Sequence, residues 1–326
     1  MKTSYSFILA LIILLASCKG STSPSPAWVV STLAGSGTEE HLDGAAADAQ
    51  FDDPTGVAVD SSGNVYVADY DNHRIRKITP GGEVSTLAGD GTAAHQDDED
   101  NIAATTARFN GPFDVAVDSS GNVYVVDAKS NRVRKITEEE NDDGDKVWKV
   151  KTIAGGGVGT VQFYWPFGVA VDSSGNVYVA DALSHRVRKI KITPGEGQEE
   201  DTVEVSTIAG SGPTGLTRGG YQDGAADTAR FSEPFGVAVD SSGNVYVADT
   251  ANDRVRKIEI TPGEGQEEET VEVSTIAGSG AEGYKDGVGT AAQFNGPFGV
   301  AVDSSGNVYV ADRDNHRIRK IEYRVP

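Results

Sequence analysis

The sequence predicts an all-β fold, a β-propeller built from five four-stranded blades. Two observations lead to this prediction. The segment Val-Ala-Val-Asp-Ser-Ser-Gly-Asn-Val-Tyr-Val occurs five times without a change, and each copy is followed by short runs rich in Val and Ile with turn residues between them. A repeated unit of this size cannot bury its apolar side chains alone and must stack on its neighbours. We therefore expect one closed domain over residues 28–326.

Each copy divides into four predicted strands. In the first copy they are Gly56–Asp60, Val65–Asp69, Arg74–Ile78 and Val84–Gly89. The first run is apolar on both faces, as in a strand buried near an axis, whereas the third is charged and must lie further out. The residues Asp-Ser-Ser-Gly-Asn after the first run predict a tight turn, because aspartate bonds to nearby backbone and glycine accepts a positive φ.

The predicted outermost strands are offset by one from the inner copies along the chain. Val29–Gly35 precedes every inner motif, and the last copy ends at Pro326 without an outer strand of its own. We therefore expect Val29–Gly35 to be the outermost strand of the last blade, which closes the ring and leaves no open edge. The alternative is a propeller of six blades, with the sixth built from the long insertions.

The third predicted strand carries a family resemblance. Asn72-His73-Arg74-Ile75 and Asn315-His316-Arg317-Ile318, each preceded by Val-Tyr-Val-Ala-Asp, resemble NHL repeats. The resemblance extends over about nine tenths of the chain. It implies a propeller, most often of six blades, that serves mainly as an interaction platform. Two copies depart from the pattern, with Ser130-Asn131-Arg132 and Asn252-Asp253-Arg254 in place of the histidine.

The first seventeen residues differ in kind from the rest. The apolar run Phe7–Ala16 follows Lys2, has the length of a signal-peptide core and is too short for a stable membrane anchor. Leu15-Ala16-Ser17-Cys18 resembles a bacterial lipobox, and Cys18 is the only cysteine of the chain. We predict a lipoprotein signal peptide in residues 1–17 and a lipid on Cys18. The alternative is an ordinary cleaved signal.

The residues after Cys18 extend this prediction. Residues 18–27 contain Pro24 and Pro26 and indicate an extended, lipid-anchored spacer. Lys19 follows the cysteine, which by resemblance to enterobacterial sorting rules indicates the outer membrane or the cell surface. The expected location is therefore the bacterial cell envelope, outside the cytoplasm.

The chain is strongly acidic, with 28 basic and 49 acidic residues and a formal net charge of -21. Nucleic acids and anionic lipid surfaces attract basic proteins, so we expect no nucleic-acid partner and membrane contact only through the lipid on Cys18. We expect a monomer that binds a protein or a glycan.

Most of the basic residues belong to the repeat. Fifteen of the 28 lie in the five third strands as Arg-x-Arg-Lys. We expect them to form ion pairs between neighbouring blades. The expected partners are the aspartates that end the second strands, namely Asp69, Asp127, Asp181, Asp249 and Asp312. The repeated His73, His185 and His316 occupy equivalent places in separate blades, so we interpret them as scaffold and not as ligands of one metal ion.

The loops that precede the first strands, here called lead-in loops, share a pattern in four blades. An Asp or Asn is followed by an alanine-rich stretch and a phenylalanine, which predicts a capped helical turn whose phenylalanine plugs the core. These stretches are Asp43 to Phe51, Asn101 to Phe109, Asp223 to Phe231 and Asp286 to Phe294.

The third blade breaks the pattern. Gly155 and Phe163 are eight residues apart, against 16, 20, 21 and 16 in the other blades. Tyr164 and Trp165 follow where the other copies have small or polar residues. A short loop among longer ones predicts a notch, and two aromatic side chains at its floor offer stacking area to a sugar or a peptide. Arg218, Tyr221 and Tyr284 on the neighbouring loops are the candidate rim. The alternative is that Tyr164 and Trp165 only fill space.

These observations favour a non-enzymatic, extracytoplasmic binding scaffold. The alternative is a propeller enzyme, because NHL-like propellers also resemble lyases and lactonase-type hydrolases that gather a metal at the central channel. No catalytic residue and no cofactor are predicted for the scaffold, whereas calcium or zinc would accompany the enzyme.

Overall fold

The structure, a computed structural model, describes residues 31–97, 104–141, 143–156, 162–195, 201–211, 219–263 and 269–323. Within these residues, five antiparallel blades stand in a ring around one axis, which confirms the predicted five-bladed β-propeller. The predicted signal peptide, the spacer with Cys18, and the first two residues of the predicted closing strand lie outside the described residues. In the part of the chain described, no helix is both long and apolar enough to cross a membrane.

Each blade runs from the axis outward in chain order. Blade 1 contains β2 (Pro54–Val59), β3 (Val65–Asp69), β4 (Arg74–Ile78) and β5 (Glu83–Ala88), with β1 (Gly44–Ala45) beside β5. Blade 2 contains β6 (Pro112–Val117), β7 (Val123–Asp127), β8 (Arg132–Glu140) and β9 (Lys146–Gly155). Blade 3 contains β10 (Pro166–Val171), β11 (Val177–Asp181), β12 (Arg186–Thr193) and β13 (Thr202–Ala209). The predicted second and third strands of blade 1 match the observed bounds.

Blade 4 contains β15 (Pro234–Val239), β16 (Val245–Asp249), β17 (Arg254–Thr261) and β18 (Thr270–Ala277), with β14 (Gly224–Ala225) beside β18. Blade 5 has three strands within the described residues, β19 (Pro297–Val302), β20 (Val308–Asp312) and β21 (Arg317–Ile321). The short 3-10 helices are Ala104–Thr106, Ala128–Ser130, Ala182–Ser184, Thr250–Asn252, Gly289–Ala291 and Arg313–Asn315.

The copied turn forms as predicted. Asp60 Oδ1 accepts hydrogen bonds from the backbone N–H groups of Ser62 and Asn64, both at 2.9 Å. Asp60 Oδ2 accepts a further bond from the Tyr66 hydroxyl at 3.1 Å. The same three bonds recur in the other four copies. The carboxylate therefore fixes the turn and the second strand together.

The core lies between successive blades. Four apolar clusters each join one blade to the next, from blades 1 and 2 through to blades 4 and 5. Phe109, Phe231 and Phe294 of the lead-in loops are buried in these clusters, as predicted. Their burial explains why the apolar pattern of each copy needs a neighbour.

Two predictions about the polar scaffold were wrong. In the described residues, the second arginine of each third strand pairs with the aspartate of its own blade, as Arg76 does with Asp69 at 2.7 Å. The lead-in aspartates Asp43, Asp223 and Asp286 do not cap helical turns but bind arginine guanidinium groups, as Asp43 does with Arg76 at 2.6 Å, although short 3-10 turns form in the lead-in loops of blades 2 and 5. The fourth predicted cap, Asn101, lies outside the described residues. A guanidinium buried beside one carboxylate attracts a second, and this pairing outcompetes a helix cap.

The repeated histidines have a structural role. His73 Nδ1 in blade 1 accepts a hydrogen bond from the backbone N–H of Gly111 in blade 2, at 3.2 Å. His185 Nδ1 in blade 3 accepts the equivalent bond from Glu233 in blade 4, at 3.1 Å. These bonds clasp neighbouring blades near the face that carries the lead-in loops.

Candidate functional site

Four blades bury the second arginine of the third strand in the same way. Its guanidinium binds an aspartate of the lead-in loop, donates to two backbone carbonyls of that loop and lies over the loop phenylalanine. The ion pairs are Arg76 with Asp43, Arg134 with Asp97, Arg256 with Asp223 and Arg319 with Asp286, at 2.6 to 2.7 Å. This cage holds each lead-in loop against its blade.

Arg188 of blade 3 is the exception. Among the described residues its hydrogen bonds go to Asp181, at 3.2 Å from Nε, and to the Thr207 hydroxyl. The sequence has no acidic residue between Asp145 and Asp172, so the shortened loop offers no carboxylate. The side chain of Arg188 is 14% exposed, whereas those of Arg76, Arg134 and Arg256 are fully buried. Within the described residues, this guanidinium therefore has fewer acceptors than its four counterparts.

The backbone of Tyr164 is linked to this guanidinium through a shared carboxylate, and Trp165 is the next residue in the chain. The Tyr164 N–H donates to Asp181 Oδ1 at 2.7 Å, so one carboxylate holds both the Tyr164 backbone and the side chain of Arg188. Burial raises the pKa of the Asp181 carboxyl. Tyr164 is 47% and Trp165 38% exposed. We call Tyr164, Trp165 and Arg188 the blade-3 notch.

Trp165 adopts an unusual backbone conformation. Its φ is +51°, in the left-handed region; blades 2 and 5 have Gly111 and Gly296 at this position, and blades 1 and 4 have Asp53 and Glu233 with a similar positive φ. A bulky residue is disfavoured there by about 1 kcal/mol or more. The Trp165 N–H donates to Asn131 Oδ1 of blade 2 at 2.7 Å, which holds the strained position. Three of the five blades therefore have a residue other than glycine at this position, and only blade 3 has an aromatic side chain there.

The notch continues toward the axis of the ring. The Trp165 ring lies 6.0 Å from that of Phe167, which stacks on Phe235 at 4.3 Å between centroids. Phe113 and Phe298 complete a cluster of four rings, one from each of blades 2 to 5. Together with residues of blade 1 they line an axial cavity of about 190 Å³.

Asp114 places a carboxylate in this axial cavity. It stands where the other four copies have Gly56, Gly168, Gly236 and Gly299. Its oxygens accept hydrogen bonds from the N–H groups of Val115, at 2.9 Å, and Val169, at 3.0 Å. Burial raises the pKa of the Asp114 carboxyl to about 7, although these two bonds oppose the shift.

Sequence reasoning missed Arg188 and Asp114. Each had a signal: Arg188 repeats an arginine whose usual loop carboxylate is absent, and Asp114 replaces a copied glycine. Both signals are departures from a copied pattern. They gain meaning only when the structure shows what the copied residue normally contacts.

Two of the predicted rim residues contact arginines of blades 4 and 5. Tyr221 lies under the Arg254 guanidinium at 3.7 Å, and Tyr284 lies under Arg317 at 3.9 Å. Their hydroxyls lie within hydrogen-bond distance of Asp223 and Asp286, at 3.1 and 3.2 Å. Arg218 lies outside the described residues. Within those residues, no group of three or more His, Cys, Asp or Glu is placed to hold a metal ion.

Comparisons with known proteins match much of the repeated region. The NHL repeat family matches residues 51–78, 109–136 and 294–321, and the Teneurin NHL domain family matches residues 160–263. Protein SUPPRESSOR OF QUENCHING 1, chloroplastic, of Arabidopsis thaliana is 29% identical over 89% of this chain. NHL repeat-containing protein 2 of Bos taurus is 29% identical over 86% of it. The chain spans only 27% and 40% of these two proteins.

Among solved structures, an auxiliary nutrient binding protein from Bacteroides ovatus superposes with a TM-score of 0.50. It is 18% identical, and the match covers 90% of this chain and 76% of the other. A likeness at this level of identity shows the shared fold.

Proposed function

We propose that this NHL-repeat β-propeller protein is a non-enzymatic binding protein of the cell envelope that holds an acidic glycan in the blade-3 notch. One observation carries the proposal: Arg188, unlike its four counterparts, has no aspartate in its lead-in loop, its side chain is partly exposed, and it shares the Asp181 carboxylate with the backbone of the exposed Tyr164. The auxiliary nutrient binding protein of similar fold is consistent with a binding role. Because that likeness shows the fold alone, the proposal depends on the notch.

The chemistry of the notch favours a carboxylate-bearing sugar. Exposed aromatic side chains such as those of Tyr164 and Trp165 supply flat apolar area, and sugar rings present flat C–H faces that stack on such surfaces. A guanidinium binds a carboxylate in a two-pronged geometry. Arg188 is tethered at Nε by Asp181, so its position is set before a ligand arrives.

The predicted lipid on Cys18 belongs to the same proposal. An anchor followed by the proline-containing spacer 18–27 would hold the propeller at the outer membrane or the cell surface, where glycans are encountered. The net charge of -21 would repel polyanions at long range. We therefore propose an oligosaccharide with one or a few acidic groups as the ligand.

A glycan array that contains neutral, uronic-acid and sialylated oligosaccharides tests this function. We expect wild type to retain acidic glycans only, and Arg188→Met to lose them. The matched control is the double variant Tyr164→Asn, Trp165→Gly, which installs the residues found at the same positions in blades 2 and 5, Asn110-Gly111 and Asn295-Gly296. This variant should fold and also lose binding. Retention of neutral glycans alone, or binding unaffected by either variant, would contradict the proposal.

A further inference from the structure

The Asp114 carboxylate has no positively charged partner among the described residues. It is largely buried, and two backbone N–H groups are its hydrogen-bond donors. No charged side chain contributes to the shift of its pKa, which comes from burial opposed by those two bonds. A buried carboxylate without a positive partner is costly, so such groups take up a proton or a cation.

The cavity in front of Asp114 has a composition that suits a cation with an apolar surface. The four phenylalanine rings line it together with glycines that leave room for a guest. Its volume of about 190 Å³ lies below the roughly 300 to 1,000 Å³ of clefts for drug-sized ligands, so the guest must be small. Aromatic walls around a single negative charge are the usual surroundings of alkylammonium groups.

From this geometry we infer that the axial cavity is a binding site for a small alkylammonium ion, held by Asp114 and by Phe113, Phe167, Phe235 and Phe298. A calcium ion fits less well, because it takes six to eight oxygen ligands whereas this cavity presents one carboxylate. The site is distinct from the blade-3 notch and does not depend on the notch binding a glycan.

Calorimetric titration with tetramethylammonium chloride tests the inference. The matched variant is Asp114→Gly, which restores the residue of the other four copies and should fold. Asp114→Asn keeps the shape of the side chain without its charge. We expect saturable binding by wild type above neutral pH and at least a tenfold loss of affinity in both variants.

Titrations of a phenylalanine variant, and of wild type with a neutral analogue and with calcium chloride, complete the test. Phe298→Leu should weaken binding several-fold, because the side chain stays apolar but loses its aromatic face. The neutral analogue tert-butanol should not bind. Absence of saturable binding by wild type, equal affinity in Asp114→Gly, or preferential binding of calcium would each overturn the inference.

Discussion

Replacing Asp114 with glycine tests whether a residue that departs from the copied sequence is needed for the fold. Asp114 is the one copy in five that is not glycine at this position, so the substitution extends the copied sequence instead of disrupting it. A Cβ at Gly56 would collide with Asp114, which shows how closely the inner strands approach at the axis. We expect the Asp114→Gly protein to fold and to be more stable than wild type near neutral pH.

The size of the effect follows from the pKa of Asp114. Burial raises that pKa from 3.8 to about 7, so between these values the folded state binds more protons than the unfolded state. The stability of wild type therefore falls as pH rises through this window. Integration gives a penalty of about 4 kcal/mol at pH 8 and about 1.5 kcal/mol at pH 5, since one pKa unit corresponds to about 1.36 kcal/mol.

Urea unfolding of wild type and Asp114→Gly at both pH values measures this difference. The gain in unfolding free energy from the substitution should grow by about 2 to 3 kcal/mol between pH 5 and pH 8. Other carboxyls titrate equally in both proteins and cancel in the comparison. A gain that is independent of pH, or one that shrinks as pH rises, would refute the reasoning that the Asp114 carboxylate is buried without a counter-charge.

Three further predictions test the scaffold and the anchor. Arg256→Met should lower the unfolding free energy by about 3 to 5 kcal/mol, because it leaves Asp249 buried without its partner. Arg188→Met should lower it less, because that arginine has fewer partners among the described residues. Equal losses in urea unfolding would contradict this prediction. His185→Ala should lower the unfolding free energy by about 1 kcal/mol, because the hydrogen bond from the Glu233 N–H is lost. His185→Asn should lower it less, because Asn131 makes the equivalent bond in blade 2. Thermal unfolding of the two variants measures the difference. Cys18→Ala should move the protein from the membrane to the soluble envelope fraction, and membrane retention would contradict the lipid anchor.

The sequence alone predicted the blade, because copied residues report the packing that all copies share. Val65–Asp69 and Arg74–Ile78 were predicted to the residue, and Asp60 closes its turn as expected. The partners of the arginines were predicted in kind but assigned to the wrong blade. Repetition shows that a charge pair exists, but the copies look alike whether the pairing is within a blade or between blades.

The site was predictable only in part, because Arg188 is set apart by contacts that its counterparts make and it does not make within the described residues. Loop length pointed to Tyr164 and Trp165, and their exposure agrees with a notch. Arg188 carries no mark of its own in the sequence, since it is identical to its four counterparts. In the described residues it differs by having no loop aspartate as a partner and no stacking on a loop phenylalanine. This difference could be recognised only by comparison with the contacts of Arg76, Arg134, Arg256 and Arg319.

The central claim is that copied residues hold the fold while departures from the copy bind ligands. Thermal unfolding of the double variant Tyr164→Asn, Trp165→Gly tests it most directly, since glycine relieves the left-handed backbone at position 165. We predict a Tm equal to or above that of wild type. A Tm lower by several degrees would show that the two aromatic side chains are packing residues and would contradict the claim.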